Sequence, residues 1–239
     1  SYFDLEFEKH CNDFLNDYID DDLLPKSPAL ELFNSNITEE EISQAVKKLK
    51  NNKSPGLDFI KAECIKDNIS FFKKHLQTLF NYILNLEDYP ATWAEGLRIA
   101  IPKGEGDIRP ITIEPIFGKI FETIIDTRLT FLSDANGQQD VFNGGFIKGS
   151  QTQDNMLILT GCIQKSLMLN RKLFVAMVDF RKAFNYVNRS ILFYKLIKSG
   201  VKGKVVSVLR SMYSKIKARI RVGNWLYEDR KSTRLNSSH

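Results

Sequence analysis

Residues 173–179, LFVAMVD, constrain this chain more than any other stretch. Six apolar residues run together without alternation, a pattern that suits a strand covered on both faces better than one with a wet side. Covering both faces requires layers, so helices are expected to wrap a sheet in an α+β arrangement. A carboxylate, Asp179, stands where the apolar run stops. Placed there it loses hydration free energy unless donors or a cation compensate it. Two readings follow. Asp179 caps the helix that comes next through its carboxylate, or it holds a divalent ion such as Mg²⁺, which favours one or two carboxylates together with phosphate oxygens. A pair of such ions about 3.5–4 Å apart serves phosphoryl transfer.

The rest of the chain supplies the layers. Thr38 followed three residues later by Glu41 forms a capping box, and Ile42, Ala45, Val46 and Leu49 then fall on one helical stripe. NNKSPGLD (Asn51 to Asp58) reads as a turn, because Ser-Pro-Gly cannot continue a helix. Helices are predicted over about 69–85, from Phe72, Leu76, Phe80 and Ile83, and over 116–132, from Ile116, Ile120, Ile124 and Leu129. LRIAIPK (97–103) is a short strand between them. A further helix is expected over 152–167. Asn188 then caps one that stops at Gly200, and another carries Val205, Val208, Leu209 and Met212. In IKARIRVGNWLY, Ile216, Ala218, Ile220 and Val222 alternate with Lys217, Arg219 and Arg221 before a Gly-Asn turn. That alternation predicts a hairpin strand with one apolar and one cationic face.

Charge is divided unevenly along the chain. Residues 1–45 hold twelve acids against Lys9 and Lys26, although the whole carries a net charge of +5. Between Lys165 and Glu228 there are fifteen Lys or Arg and only two acids, Asp179 and Glu228. So basic a stretch needs a polyanionic partner or a well-solvated face, and nucleic-acid backbones are the commonest such partner. The acidic segment 1–36, with Pro25 and Pro28, reads as a loosely packed lead-in. Cys11, Cys64 and Cys162 are too scattered for a disulfide framework or a zinc site and are expected to be small buried residues. With no signal peptide and no run of about 18 apolar residues, the chain is expected to act inside the cell, in nucleus or cytoplasm, away from membranes.

Four segments together resemble the reverse transcriptases of non-LTR (LINE-type) retrotransposons, in the order of that family: NNKSPGLD, LRIAIPKGEGDIRPITI, NGGFIKGSQTQDN and MVDFRKAFNYVNR. The resemblance spans about residues 38–228. It implies the fingers and an incomplete palm of a right-hand polymerase, with fingers over 37–168 and the first part of the palm over 169–228. It also implies RNA-templated extension of a DNA primer from deoxynucleoside triphosphates, with two Mg²⁺ ions in the complete enzyme. In the family pattern Asp179 is the catalytic, metal-binding carboxylate, and the backbone carbonyl of Phe180 is a further metal ligand. Lys103 and Arg109 hold the incoming triphosphate, Arg109 through its planar fork. Phe184 packs under the sugar and excludes a ribose. Lys148 lies along the template. Lys217, Arg219 and Arg221 are expected either to follow the nucleic-acid backbone or to protect a solvated edge strand by their charge.

Two departures qualify that pattern. Asn185 stands where the family commonly has Asp, and no Tyr/Phe-x-Asp-Asp hairpin follows the basic strand. The chain alone is therefore expected to be inactive. A non-catalytic nucleic-acid-binding remnant, or a decayed copy, is the alternative reading. The last eleven residues, DRKSTRLNSSH (229–239), resemble the in-frame translation of a sequencing adaptor, so the native residues are expected to run only to about Glu228, with the parent chain cut short there.

Overall fold

In the computed structural model, residues 2–18, 27–102, 108–137, 145, 149–180, 186–223 and 225–228 are described. They form two units, residues 1–132 with 189–239, and residues 133–188.

The first unit begins where the sequence suggested a loose lead-in. Instead α1 (Tyr2–Asp17) and α2 (Pro28–Asn34) form there, and Cys11, Leu15 and Phe33 are buried. Acidic density hid two short apolar faces. Ser27 caps α2 by accepting a hydrogen bond from Leu30 N at 3.1 Å, with Pro28 placed where its missing N–H costs nothing. The Phe14 ring meets Tyr194 edge to face at 5.0 Å, seating α1 on α8 (Arg189–Lys198).

The Thr38 capping box starts α3 (Glu39–Lys48) as expected, with Thr38 Oγ1 accepting from Glu41 N and a Glu41 carboxylate oxygen accepting from Thr38 N. After α4 (Ala62–Asp67) comes α5 (Ile69–Leu86), which buries Leu76, Phe80, Ile83 and Leu84. Helix α6 (Ile116–Ala135) buries Ile120, Phe121, Ile124, Ile125 and Leu132. Rings of Phe80 and Phe121 meet edge to face at 5.4 Å in the centre. Helix α9 (Lys204–Lys215) closes this core with Val205, Val206 and Val208. Its start depends on Gly203, whose φ is +92°. A Cβ there would lie 2.4 Å from Asn34 Oδ1, the atom that accepts a hydrogen bond from Val205 N at 3.3 Å.

Four strands make one mixed sheet in the order β2-β1-β3-β4. Strand β1 (Glu95–Pro102) pairs antiparallel with β2 (Ile108–Ile113), and β3 (Lys217–Val222) pairs antiparallel with β4 (Trp225–Glu228). The hairpin at Gly223 is the one expected from the Gly-Asn turn. The parallel pairing of β1 with β3 joins segments more than a hundred residues apart. The α+β class is thus confirmed.

The second unit differs from expectation. Its helix α7 (Thr152–Met168) forms as predicted, but it buries none of its residues. Residues 171–180 are irregular and exposed, with Phe174 at 89% and Met177 at 90%. The expected central strand 173–179 is therefore neither a strand nor buried. A strand requires a ladder partner, and the one sheet among the described residues does not include it. Cys11 is buried as expected, whereas Cys64 and Cys162 are exposed.

Candidate nucleic-acid interface

Paired residues in a sheet share a face, so the register decides which side chains act together. Lys217 lies opposite Glu95, Arg219 opposite Leu97, and Arg221 opposite Leu226. On the other side of β1, Ile101 lies opposite Arg109, Ile99 opposite Ile111, and Leu97 opposite Ile113. One face therefore collects the register positions of Arg109, Lys217, Arg219 and Arg221, drawn from two strands on either side of β1. The alternation predicted for β3 holds. The face is not purely cationic, however, because Ile99, Ile101 and Ile111 of β1 and β2 share it.

The three cations of β3 differ in their surroundings. Arg219 donates from Nε to Glu95 Oε1 at 2.6 Å and from Nη2 to Glu95 Oε2 at 3.3 Å, a two-point grip that neutralises part of the face. Lys217 is exposed, with its backbone N–H donating to Ala94 O at 3.0 Å. Arg221 is exposed and donates from Nε to Gly223 O at 3.3 Å. Strand β3 is an inner strand of the sheet. Its charges thus do not serve to guard an open edge.

The Ser-Pro-Gly turn is fastened to the start of α6. The Asp58 carboxylate accepts from Ile116 N at 2.8 Å and from Ile60 N at 3.3 Å, supplying a cap to that helix. A Cβ on Gly56 would sit 2.7 Å from Glu114 O, so only glycine lets the turn approach so closely. Sequence reasoning took these residues as a plain turn. The cap joins residues 58 positions apart, so no local signal pointed to it.

A half-buried carboxylate on α6, Glu122, is paired with the buried Tyr89. Burial, reinforced by the charge of Glu114, pushes the Glu122 carboxyl up to about 7, while a 2.7 Å hydrogen bond from Tyr89 Oη opposes the rise. Burial and the same carboxylates raise the Tyr89 phenol above its ordinary value.

The remaining predicted site residues lie elsewhere. Asp179 is exposed on the irregular stretch of the second unit, and Phe180 beside it is 76% exposed. Asp179 therefore does not terminate a buried strand. Lys103, Lys148 and Phe184 lie outside the described residues. Among the described residues no group of three or more His, Cys, Asp or Glu is placed to hold a metal ion. One carboxylate does not make a two-ion site, so these residues by themselves do not fit the pair of Mg²⁺ ions. The string Tyr-Ile-Asp-Asp does occur at 18–21, but it precedes every motif quoted above, and Asp20 and Asp21 lie outside the described residues. No helix among the described residues is long and apolar enough to cross a membrane.

No family profile matches the chain. Individual relatives do. It is 27% identical over 201 residues, 81% of its length, to a 115 kDa protein of the type-1 retrotransposable element R1DM of Drosophila melanogaster. To the probable RNA-directed DNA polymerase of transposon X-element from the same organism it is 28% identical over 158 residues, 62% of the chain. To the RNA-directed DNA polymerase of the Drosophila mobile element jockey it is 26% identical over 167 residues, 67% of the chain. The chain spans 17–18% of the length of these relatives. Through these matches it is a homologue of the RNA-directed DNA polymerases of non-LTR retrotransposons, related to them over most of its length.

Proposed function

We propose that this chain is a segment of an RNA-directed DNA polymerase that extends a DNA primer on an RNA template, and that the basic sheet face grips the phosphate backbone. The observation that carries the reading is the register: β2 and β3, far apart in sequence, flank β1 and bring Arg109, Lys217, Arg219 and Arg221 to one face. Phosphate contacts of this kind position a nucleic acid without reading its sequence, and an RNA–DNA hybrid is held mainly through shape and backbone. The activity for which the jockey and X-element relatives are named supports the same reading.

In the complete protein, residues 37–168 would form the fingers and 169–228 the start of the palm, with Arg109 and Lys103 neutralising the incoming triphosphate and Phe184 policing its sugar. Asp179 and the Phe180 carbonyl would be ligands to Mg²⁺, which would supply charge stabilisation for nucleotidyl transfer. Those ligands alone are too few, so the chain is proposed to bind template and primer without extending it. Incubation with an RNA template, a DNA primer, deoxynucleotides and Mg²⁺ should give no extension above background. Clear extension would overturn the inactivity, and absence of any binding would overturn the interface. Asn185, where the family has Asp, favours a second reading in which the parent only binds nucleic acid. Primer extension by the full-length parent separates the two: activity abolished by Asp179→Asn supports polymerase, and an inert parent that still binds supports the second reading.

A further inference from the structure

Beside the basic face the first unit holds an open cavity of about 390 Å³. That volume is in the ordinary range for ligand pockets, about 300–1,000 Å³. Its walls come from four separate parts of the chain: the Ser-Pro-Gly turn, the residues leading into β1, the start of α6, and the β3–β4 hairpin. Phe59, Trp93 and Phe117 line it with aromatic rings, while Arg219, Glu95 and Leu226 form its sheet side. Trp93 and Phe117 lie 6.3 Å apart at 36°, too tilted to stack fully on each other.

Phe59 is the unusual member. It has φ +57° and is 79% exposed. A bulky side chain in the left-handed region is strained, and a large ring in water forfeits burial; such residues gather at binding sites. Nothing in the local fold needs the ring. The turn is closed by backbone, with Phe59 N donating to Gly56 O at 3.2 Å, and by the Asp58 cap on α6.

The charges choose among possible occupants. Glue for a triphosphate is missing, since the cavity pairs one guanidinium with Glu95 and adds the carboxylate of Asp58. The cations Lys217 and Arg221 stand on the same sheet face outside the cavity. Phosphates outside and a flat apolar group inside is the arrangement by which single strands are held, with bases on aromatic platforms and the backbone on basic residues. The geometry points to this cavity as a pocket for an unpaired nucleobase of a single-stranded stretch of nucleic acid, with Phe59 as the ring that covers it. The inference rests on the proposed backbone-binding face and adds to it a site that takes a base.

The test uses the full chain and two single-stranded RNA 10-mers, one intact and one with a run of abasic positions, measured by fluorescence anisotropy. Stacking of one base is worth enough that the intact strand should bind about tenfold more tightly. Phe59→Asn keeps the left-handed backbone, which Asn adopts readily, and should erase the preference while leaving the weaker abasic binding unchanged. Phe59→Tyr should restore it. Equal binding of both strands by the unaltered chain, or a preference that survives Phe59→Asn, would overturn the pocket yet leave the basic face standing. Failure of both strands to bind would overturn the pocket and the basic face together.

Discussion

Arg128 is the buried cation on which the first unit turns, and replacing it by Met tests how the unit is held together. The side chain is 3% exposed, and each of its five N–H donors is used. Nε donates to Glu41 Oε1 at 2.6 Å and Nη2 to Glu41 Oε2 at 2.9 Å. Nη1 donates to Phe33 O at 3.2 Å and Ser35 O at 2.6 Å, and Nη2 also reaches Asn36 O at 3.0 Å. One guanidinium on α6 thus ties down the end of α2, the following loop and the cap of α3. Removing one partner from a buried, hydrogen-bonded ion pair costs about 3–5 kcal/mol. The Glu41 side chain is 29% exposed, so water partly rescues the stranded carboxylate and the lower end, about 3 kcal/mol, is expected. The assay is urea unfolding followed by circular dichroism. The midpoint should fall with its slope unchanged. Arg128→Lys, with three donors and no fork, should recover only part of the loss. A loss below about 1 kcal/mol in Arg128→Met, the range of an exposed pair, would refute the reasoning.

Four further outcomes follow from the same geometry. Burial alone would raise the Glu41 carboxyl, but hydrogen bonds from Arg128 and Thr38 outweigh it and hold it below the usual range. Its contribution is therefore present above the unfolded value near 4.3 and lost as pH falls through the folded one, and Glu41→Gln should flatten acid unfolding curves on that side. Glu122 has the opposite sign: its proton is held up to about 7, so stability should decline as pH rises from about 4.3 toward that value. Thermal melts of Glu122→Gln should lose that slope, and an unchanged slope would contradict the assignment. Gly56→Ala forces a Cβ against Glu114 O and should lower stability by about 1–3 kcal/mol in the same urea assay. Glu95→Gln removes the acid that pairs with Arg219; it should cost under about 1 kcal/mol in stability while tightening RNA binding several-fold in an anisotropy titration.

Local signals carried much of the fold. The Thr38–Glu41 box, the apolar stripes of α5 and α6 and the alternation in β3 each depend on neighbours within a few residues, and each formed where expected. Long-range choices were not legible in the same way. No local rule states that β3 pairs parallel with β1, and that pairing decides which residues share the basic face. The run 173–179 was misread because an apolar string specifies a need for cover without specifying its partner. The acidic opening was misread because charge density masked Cys11, Leu15 and Phe33 at wide spacing. Arg128 was overlooked although a trace of it is visible: it stands four residues after Ile124 and four before Leu132, a cation within an apolar stripe. Of the site, the cations of β3 could be read from sequence, but the Glu95 partner of Arg219 and the aromatic cavity beside it depend on the folded register.

The salt dependence of binding to an RNA template–DNA primer duplex tests the basic face most directly. If Lys217 and Arg221 each displace one phosphate counterion, log affinity should fall against log salt with a slope of about −1.8, roughly 12-fold between 50 and 200 mM. The double variant Lys217→Gln, Arg221→Gln should reduce that slope by about 1.8. A slope indistinguishable from zero, or one that the double variant leaves untouched, would contradict the claim that this sheet holds a nucleic-acid backbone.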